Sequence, residues 1–166
     1  MPARPPIALS CGEPGGIGPE IALAAWAELR GELPFLWVGD PRMLPKGTPW
    51  EAVQATGDAT AVAARAMPVW SIPFDGTSVK GEADPRNAPG VIAAIETSVA
   101  LVKEGKARAS CTAPIHKAAL QDGANFAHPG HTEFLADLAG VETVAMMLAC
   151  DALRVVPATI HIALEE

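Results

Sequence analysis

The first group of residues that could bind a ligand or take part in a reaction is the stretch "GEPGGIGPE" at residues 12–20. It holds four glycines and two prolines directly after an apolar run. A turn of this kind between a strand and a helix can present backbone N–H groups and the positive end of a helix dipole to an anion. Gly15, Gly16 and Gly18 are the candidate anion-binding residues, although Glu13 would place a carboxylate among them. The spacing fits neither the dinucleotide fingerprint nor a Walker A loop. A tight strand-to-helix connection and a family signature are the alternative explanations.

A second stretch, "SCTAPIHKAALQDG" at residues 110–123, places a basic residue near the end of a strand. The strand is predicted to end at Thr112, and His116 and Lys117 lie near the start of a helix. Ligands gather at the carboxyl ends of strands in open α/β sheets, so Lys117 could hold a phosphate or stabilise a developing oxyanion. A solvated lysine in a surface turn is the alternative.

Histidines mark the third and fourth stretches. In "FAHPGHTEFLADLAG", residues 126–140, His131 and Thr132 open a predicted helix and could project into a cleft. The alternative is a helix cap at Thr132 and a polar loop residue at His131. In "ATIHIALEE", His161 follows a predicted strand and could give one imidazole to a divalent ion. One ligand by itself does not make a metal site.

The elements that must position these residues alternate between strand and helix. Short, mostly continuous apolar runs predict strands covered on both faces, at residues 6–11, 34–39, 67–72, 108–113, 143–150 and 153–161. Helical spacing predicts helices at residues 18–31 with Pro19 in the first turn, at residues 87–106, and directly after "GHTEF". Residues 40–50 and 73–90 are predicted to be loops. This alternation predicts an α/β protein with a mostly parallel sheet flanked by helices.

Composition excludes several classes of function. The 166 residues are 49% hydrophobic with a formal net charge of −7, which argues against a nucleic-acid-binding surface. No apolar run approaches the roughly 20 residues that a membrane-spanning helix needs. The three cysteines, Cys11, Cys111 and Cys150, lack metal-binding spacing and are expected to be reduced, buried thiols of a cytoplasmic protein.

The sequence contains four motifs whose order and spacing resemble those of a known family. They are "GEPGGIGPEIA", "CTAPIHKAAL", "HPGHTEFLA" and "VAMMLACDALRVVPATIHIAL". The chain is similar to the N-terminal half of the 4-hydroxythreonine-4-phosphate dehydrogenase family of pyridoxal phosphate biosynthesis. "PGHTEF" followed by "ATIH" is the most specific part, and residues 41–80 are the weakest. The resemblance implies a fold similar to isocitrate and isopropylmalate dehydrogenases, with two α/β lobes around a cleft. Residues 1–166 would then be the N-terminal part, one incomplete lobe or one half, with the second half absent.

The resemblance also implies an activity and assigns roles to residues. The expected reaction is a metal-dependent, NAD- or NADP-linked oxidation of 4-phosphohydroxy-L-threonine, or of a related phosphorylated hydroxy acid, with loss of CO₂. His131 and Thr132 match the family's substrate-contacting pair, and His161 matches the first histidine ligand of the divalent metal, which is Zn, Mg or Co. Lys117 matches a lysine that lines the cleft. A homodimer is expected, with neither a nucleic-acid nor a membrane partner.

Two other functions remain open at this point. The family's other metal-binding histidines and most of its phosphate-binding and NAD-binding residues lie beyond the stretch that this chain matches. The chain could therefore be a non-catalytic α/β module that binds an anion or a partner chain. An acyl-phosphate transferase of similar fold is disfavoured, because "PGHTEF" with "ATIH" points to the dehydrogenases.

Overall fold

A computed structural model describes residues 4–159 and residue 165, which divide into two compact units. The first unit runs as far as Ala127, and the second begins at His128.

The first unit is built on a parallel sheet with the strand order β3-β4-β2-β1-β5. Every pairing between neighbouring strands is parallel, which confirms the predicted α/β class. Within residues 4–127 the strands are β1 (Ile7–Ser10), β2 (Phe35–Gly39), β3 (Trp50–Ala52), β4 (Met67–Ser71) and β5 (Ala109–Thr112). The α-helices of the same range are α1 (Gly18–Leu29), α2 (Ala59–Ala63), α3 (Ala88–Lys103) and α4 (Lys117–Ala124).

The core of this unit lies around the central strand β2, which is buried along its whole length. Such a strand is covered on both faces, as its continuous apolar sequence "FLWVG" predicts. The helix α3 packs on β1, β2 and β5. The apolar residues that this helix buries are Ala88, Val91, Ala94, Ile95 and Leu101.

The predicted positions of these elements hold closely in the first unit. The strands predicted at residues 6–11, 34–39, 67–72 and 108–113 are confirmed to within one residue at each end. The helix α1 has Pro19 in its first turn as predicted, and it ends at Leu29, shortly before Gly31. Neither β3 nor α2 is predicted from the sequence, because one is a three-residue edge strand and the other is a single alanine-rich turn.

The second unit contains the helix α5 (His131–Ala139) and a small antiparallel pair, β6 (Leu148–Ala149) and β7 (Arg154–Val155). The helix predicted directly after "GHTEF" is therefore confirmed, but it begins within that motif, at His131. The prediction of covered strands at residues 143–150 and 153–161 is wrong for the described residues, since only these short strands form and their side chains are exposed. An apolar run shows which side chains favour burial, but not whether a neighbouring element covers them.

The three cysteines differ in their exposure to solvent. Cys11 is buried as expected, whereas the expectation of burial is wrong for Cys111 and Cys150, which are exposed. Cys111 lies on β5, which is an edge strand of the sheet that residues 4–127 form. All three cysteines are free thiols. Within the part of the chain that the structure describes, no helix is long and apolar enough to cross a membrane.

Candidate functional site

Three connections meet at the carboxyl edge of the first unit's sheet. They are the glycine turn (residues 11–17) after β1, the 77–84 loop that follows β4, and the Pro114 turn (residues 113–116) after β5. All the strands are parallel, so their carboxyl ends lie at one edge, which is where ligands bind in open α/β sheets. Two of these connections, the glycine turn and the Pro114 turn, lie in the stretches predicted from the sequence to carry functional residues.

The 77–84 loop lies directly against the glycine turn. The N–H of Gly81 donates to the carbonyl of Gly15 at 2.8 Å, and the Ser78 hydroxyl donates to the carbonyl of Pro14 at 2.7 Å. A Cβ atom on Gly15 would lie 2.7 Å from the carbonyl oxygen of Val79 and would collide with that of Glu82. Close approach of the loop backbone therefore requires glycine at position 15.

The Pro114 turn approaches the glycine turn from the other side. Gly12 has a φ of +69°, in the left-handed region that favours glycine. A Cβ atom there would also collide with the carbonyl oxygen of Pro114. The N–H of Glu13 donates to the same carbonyl at 2.9 Å. Packing between turns thus accounts for two of the glycines without any bound anion, and this geometry favours a tight connection.

The donors of the glycine turn are partly used within the turn itself. The N–H of Gly15 donates to Oε1 of Glu13 at 3.1 Å, and the N–H of Gly16 donates to the backbone carbonyl of Glu13 at 3.0 Å. Both donors already have an acceptor from Glu13. Anion binding by Gly15, Gly16 and Gly18 remains a prediction.

Glu13 itself is a buried carboxyl group, with 7% of the residue exposed. Burial raises its pKa above the usual glutamate value. The hydrogen bond from Gly15, the charge of His116 and the backbone N–H of Asp84 act in the opposite direction, while the carboxylate of Asp84 raises the pKa further. The hydrogen bonds of Glu13 therefore join the glycine turn to the Pro114 turn, a role that its place among glycines did not reveal.

Lys117 begins α4 at this edge and is exposed. The preceding residue, His116, is the N-cap of the helix, and its Nδ1 accepts a hydrogen bond from the N–H of Ala119 at 3.2 Å. The structure therefore gives His116 a structural task next to the predicted cleft lysine. The sequence signal for this cap is a polar residue directly before a run of helix-forming residues.

Asp40, which follows β2, is a further buried carboxylate that the sequence analysis missed. It accepts hydrogen bonds from the N–H of Phe74 at 2.9 Å and from the guanidinium of Arg42 at 2.6 Å. Burial raises the pKa of Asp40, but the bonds with Arg42 and Phe74 outweigh burial and hold the pKa below its usual value. The sequence "DPR" carried the signal, since Asp before Pro caps a helical turn.

A small cavity of about 190 Å³ opens beside the glycine turn. Its charged lining residues are Glu20, Arg42 and Lys80. Lys80 forms an ion pair with Glu20, and Arg42 forms one with Asp40. Both cations of the lining are thus balanced by carboxylates.

His131 and Thr132 lie in the second unit, in the first turn of α5. The N-cap of this helix is Gly130, which makes no side-chain capping bond, so the alternative of a cap at Thr132 finds no support. The ring of His128 lies 5.0 Å from that of Phe134, and its Nε2 lies 3.8 Å from Oδ2 of Asp137. His131 and Thr132 thus lie together at the start of α5 in the second unit. The glycine turn and Lys117 lie at the carboxyl edge of the sheet in the first unit.

The predicted metal ligand, His161, lies outside the described residues. Among residues 4–159 and 165, no group of three or more His, Cys, Asp and Glu side chains could hold a metal ion. Catalytic zinc sites normally use three protein ligands, so the described residues do not fit a metal site on their own.

Comparisons with known proteins bear on the same residues. Residues 32–166 match the family model described as "Pyridoxal phosphate biosynthetic protein PdxA". A 4-hydroxythreonine-4-phosphate dehydrogenase of Ruegeria sp. (strain TM1040) is 66% identical over 158 residues, which are 95% of this chain and 48% of that protein. The enzyme of the same name from Roseobacter denitrificans is 57% identical over 166 residues, covering 99% of this chain and 51% of its own length. The chain thus spans about half the length of these relatives.

Solved structures give the same result. The crystal structure of 4-hydroxythreonine-4-phosphate dehydrogenase from Klebsiella pneumoniae matches with a TM-score of 0.80 and 30% identity, covering 97% of this chain and 52% of that one. The enzyme from Burkholderia phymatum matches with a TM-score of 0.80 and 28% identity, covering 97% and 51%. The resemblance and the fold class predicted from the sequence are confirmed. The chain belongs to the PdxA family of pyridoxal phosphate biosynthetic proteins.

Proposed function

We propose that this chain supplies substrate-binding and metal-binding residues to an NAD- or NADP-linked dehydrogenase in pyridoxal phosphate biosynthesis. The substrate is 4-phosphohydroxy-L-threonine or a related phosphorylated hydroxy acid. The observation that carries the proposal is the 66% identity, over 95% of the chain, to a relative named 4-hydroxythreonine-4-phosphate dehydrogenase. A homodimer in the cytoplasm is part of the same proposal.

The proposed roles of the chain's own residues are binding and orientation. His131 and Thr132 hold the substrate through hydrogen bonds from the first turn of α5. Lys117 offers its ammonium group at the carboxyl edge of the sheet, where it stabilises negative charge on the substrate. Support comes from the family motifs around these residues and from the positions of His131 and Lys117 at the starts of helices.

Binding of the proposed metal and nicotinamide cofactor requires residues outside the part of the chain that the structure describes. His161 is the proposed first ligand of the divalent cation, and further ligands must come from elsewhere in a complete enzyme. When bound, the cation would supply Lewis acidity at the substrate hydroxyl and a nicotinamide would supply the hydride acceptor. Activity assays with NAD⁺ or NADP⁺, and with Zn²⁺, Mg²⁺ or Co²⁺, would identify the nicotinamide cofactor and the metal.

A chimera tests this proposal in a complete protein. Residues 1–166 are fused to the portion of the Ruegeria relative that follows the aligned region, and NADH formation is measured with 4-phosphohydroxy-L-threonine, NAD⁺ and a divalent metal. The expected result is turnover by the chimera and none by residues 1–166 alone. A folded chimera without turnover would contradict the proposal.

The second candidate function is anion or partner-chain binding without catalysis. It is favoured by one observation, the lack of a metal-binding cluster among the described residues. An inactive chimera, together with a partner chain bound by residues 1–166, would support this function instead.

A further inference from the structure

An apolar groove of about 280 Å³ lies on one face of the first unit's sheet, between α1 and the edge strand β5. The strand β1 contributes Ile7 and Leu9 to it, and β5 contributes Cys111, the register partner of Leu9. The helix α1 contributes Ile21 and Leu29. No charged side chain is among the described residues that line this surface, which is called the α1–β5 groove.

The two faces of the sheet are covered unequally at this place. Successive side chains of a strand point to opposite faces, so Ala8 and Ser10 of β1 lie on the face away from the groove. Both are fully buried, and α3 packs on β1, β2 and β5. On the groove face, Ile7 and Leu9 are only half-buried and Cys111 is exposed. Parallel sheets are covered by helices on both faces. Within residues 4–127, α1 therefore leaves this face incompletely covered.

The length of the relatives indicates what covers the groove. The chain spans 48% of the Ruegeria relative and 52% of the Klebsiella structure, so each contains about as much chain again. A groove without charged residues favours an apolar occupant, because burial of apolar surface is its main source of binding free energy. The groove lies over the face of β1 and β5 rather than along the hydrogen-bonding edge of β5. This position favours a helix beside α1 over an added strand.

We propose that the α1–β5 groove binds an amphipathic helix from the portion of the longer relatives that follows the aligned region. The inference rests on the proposed function only in treating the chain as one part of a complete dehydrogenase. Its test measures the reactivity of a thiol and not turnover. An inactive chimera with a covered groove would therefore contradict the proposed function and leave this inference standing.

Cys111 can report on the groove because it is a free, exposed thiol in the lining. The rate of its alkylation by iodoacetamide is measured by peptide mass spectrometry, in residues 1–166 alone and in the chimera with the Ruegeria portion. The buried thiol of Cys11 gives the rate of a covered cysteine in the same samples. A cooperative urea transition first establishes that the chimera is folded.

Two isoleucine variants provide a matched pair for the chimera. Ile21 lines the groove and is 47% exposed, whereas Ile17 is 59% exposed and is not among the lining residues. Aspartate at either position faces solvent in residues 1–166, so both variants should fold. In the chimera, only Ile21→Asp places a charge against the apolar occupant, which burial penalises.

The alkylation rate of Cys111 is expected to fall roughly tenfold or more from residues 1–166 to the chimera. Ile21→Asp should restore much of the rate, and Ile17→Asp should not. Equal rates in residues 1–166 and in a folded chimera would overturn the inference, as would equal effects of the two variants. A rate in residues 1–166 that falls with protein concentration would also overturn it, because a second copy would then be the occupant.

A second measurement does not depend on folding of the chimera. Residues 1–166 and the Ruegeria portion are co-expressed as separate chains and analysed by size-exclusion chromatography. The two chains should form a complex whose affinity falls roughly tenfold or more with Ile21→Asp and stays unchanged with Ile17→Asp. Absence of a complex, together with a chimera that does not fold, would overturn the inference.

Discussion

Glu13 and Asp40 are buried carboxyl groups at the same edge of the sheet, yet their pKa values shift in opposite directions. Burial raises the pKa in each case, but only Asp40 has a guanidinium bonded to it, from Arg42. A carboxyl group whose pKa is raised by folding favours the folded state at low pH, and this contribution is lost as the pH rises through the raised pKa. For Asp40 the sign is reversed, and stability is lost as the pH falls.

The pH dependence of unfolding should separate the contribution of Glu13 from the others. Glutamine does not titrate, so the stability of Glu13→Gln relative to the unmodified chain should increase as the pH rises above the ordinary glutamate pKa. Urea unfolding between about pH 4 and 7 measures this difference. A difference that stays constant with pH would contradict the raised pKa of Glu13.

Substitution at Gly15 tests the close packing of the glycine turn. In Gly15→Ala, the new methyl group would meet the carbonyl oxygens of Val79 and Glu82, so we expect a loss of about 1–3 kcal/mol in the free energy of unfolding. Gly31→Ala is the matched control, since no atom lies within 4 Å of a Cβ at that position. Urea denaturation of both variants provides the measurement, and equal stabilities would argue against the packing explanation.

At the scale of elements, Asp40 ties the end of β2 to the segment that follows β4. Removing its carboxylate in Asp40→Ala leaves the N–H of Phe74 without its acceptor. We expect a loss of about 2 kcal/mol in stability, measured by thermal or urea unfolding. Glu51→Ala, which removes an exposed ion pair with Arg65, should cost far less. Similar losses in the two variants would refute a special role for Asp40.

The strands also show which parts of the fold can be predicted from local sequence patterns. Residues 34–39 were predicted closely because a continuous apolar run and a central, buried strand require the same residues. The similar run at residues 143–150 forms only the two-residue strand β6, since no described element covers it. Periodicity and composition report what a segment favours locally, whereas burial also depends on a neighbouring element.

The candidate site was predictable to a similar extent. Lys117 and His131 could be placed at helix starts because proline, glycine and polar residues mark those positions. The close packing of the glycine turn could not be predicted, since it depends on the 77–84 loop returning across that turn. That contact joins segments more than sixty residues apart, and no local pattern encodes it.

At the scale of the whole molecule, the second unit presents exposed apolar side chains close together in the sequence. Leu148 is 61% and Leu153 62% exposed, and Met147 and Val156 are also exposed. Exposed apolar side chains grouped in this way commonly mark association surfaces.

Residues 1–166 should therefore associate as their concentration rises, which sedimentation velocity can measure. Replacing Leu148 and Leu153 by lysine should reduce the association, because charge opposes burial of the surface. The control is Ile17→Lys, an exposed apolar residue of the first unit. A chain that stays monomeric at all concentrations would contradict this prediction.

The most direct test of the functional account is the rate of NADH formation by the chimera and by its His161→Ala variant, with substrate, NAD⁺ and added divalent metal. We expect turnover by the chimera and a background rate for the His161→Ala variant. His128→Ala is the matched control and should retain turnover, because His128 lies next to Phe134 and Asp137 and belongs to no proposed site. Full activity of His161→Ala would contradict the central claim that this chain supplies a metal ligand to the dehydrogenase.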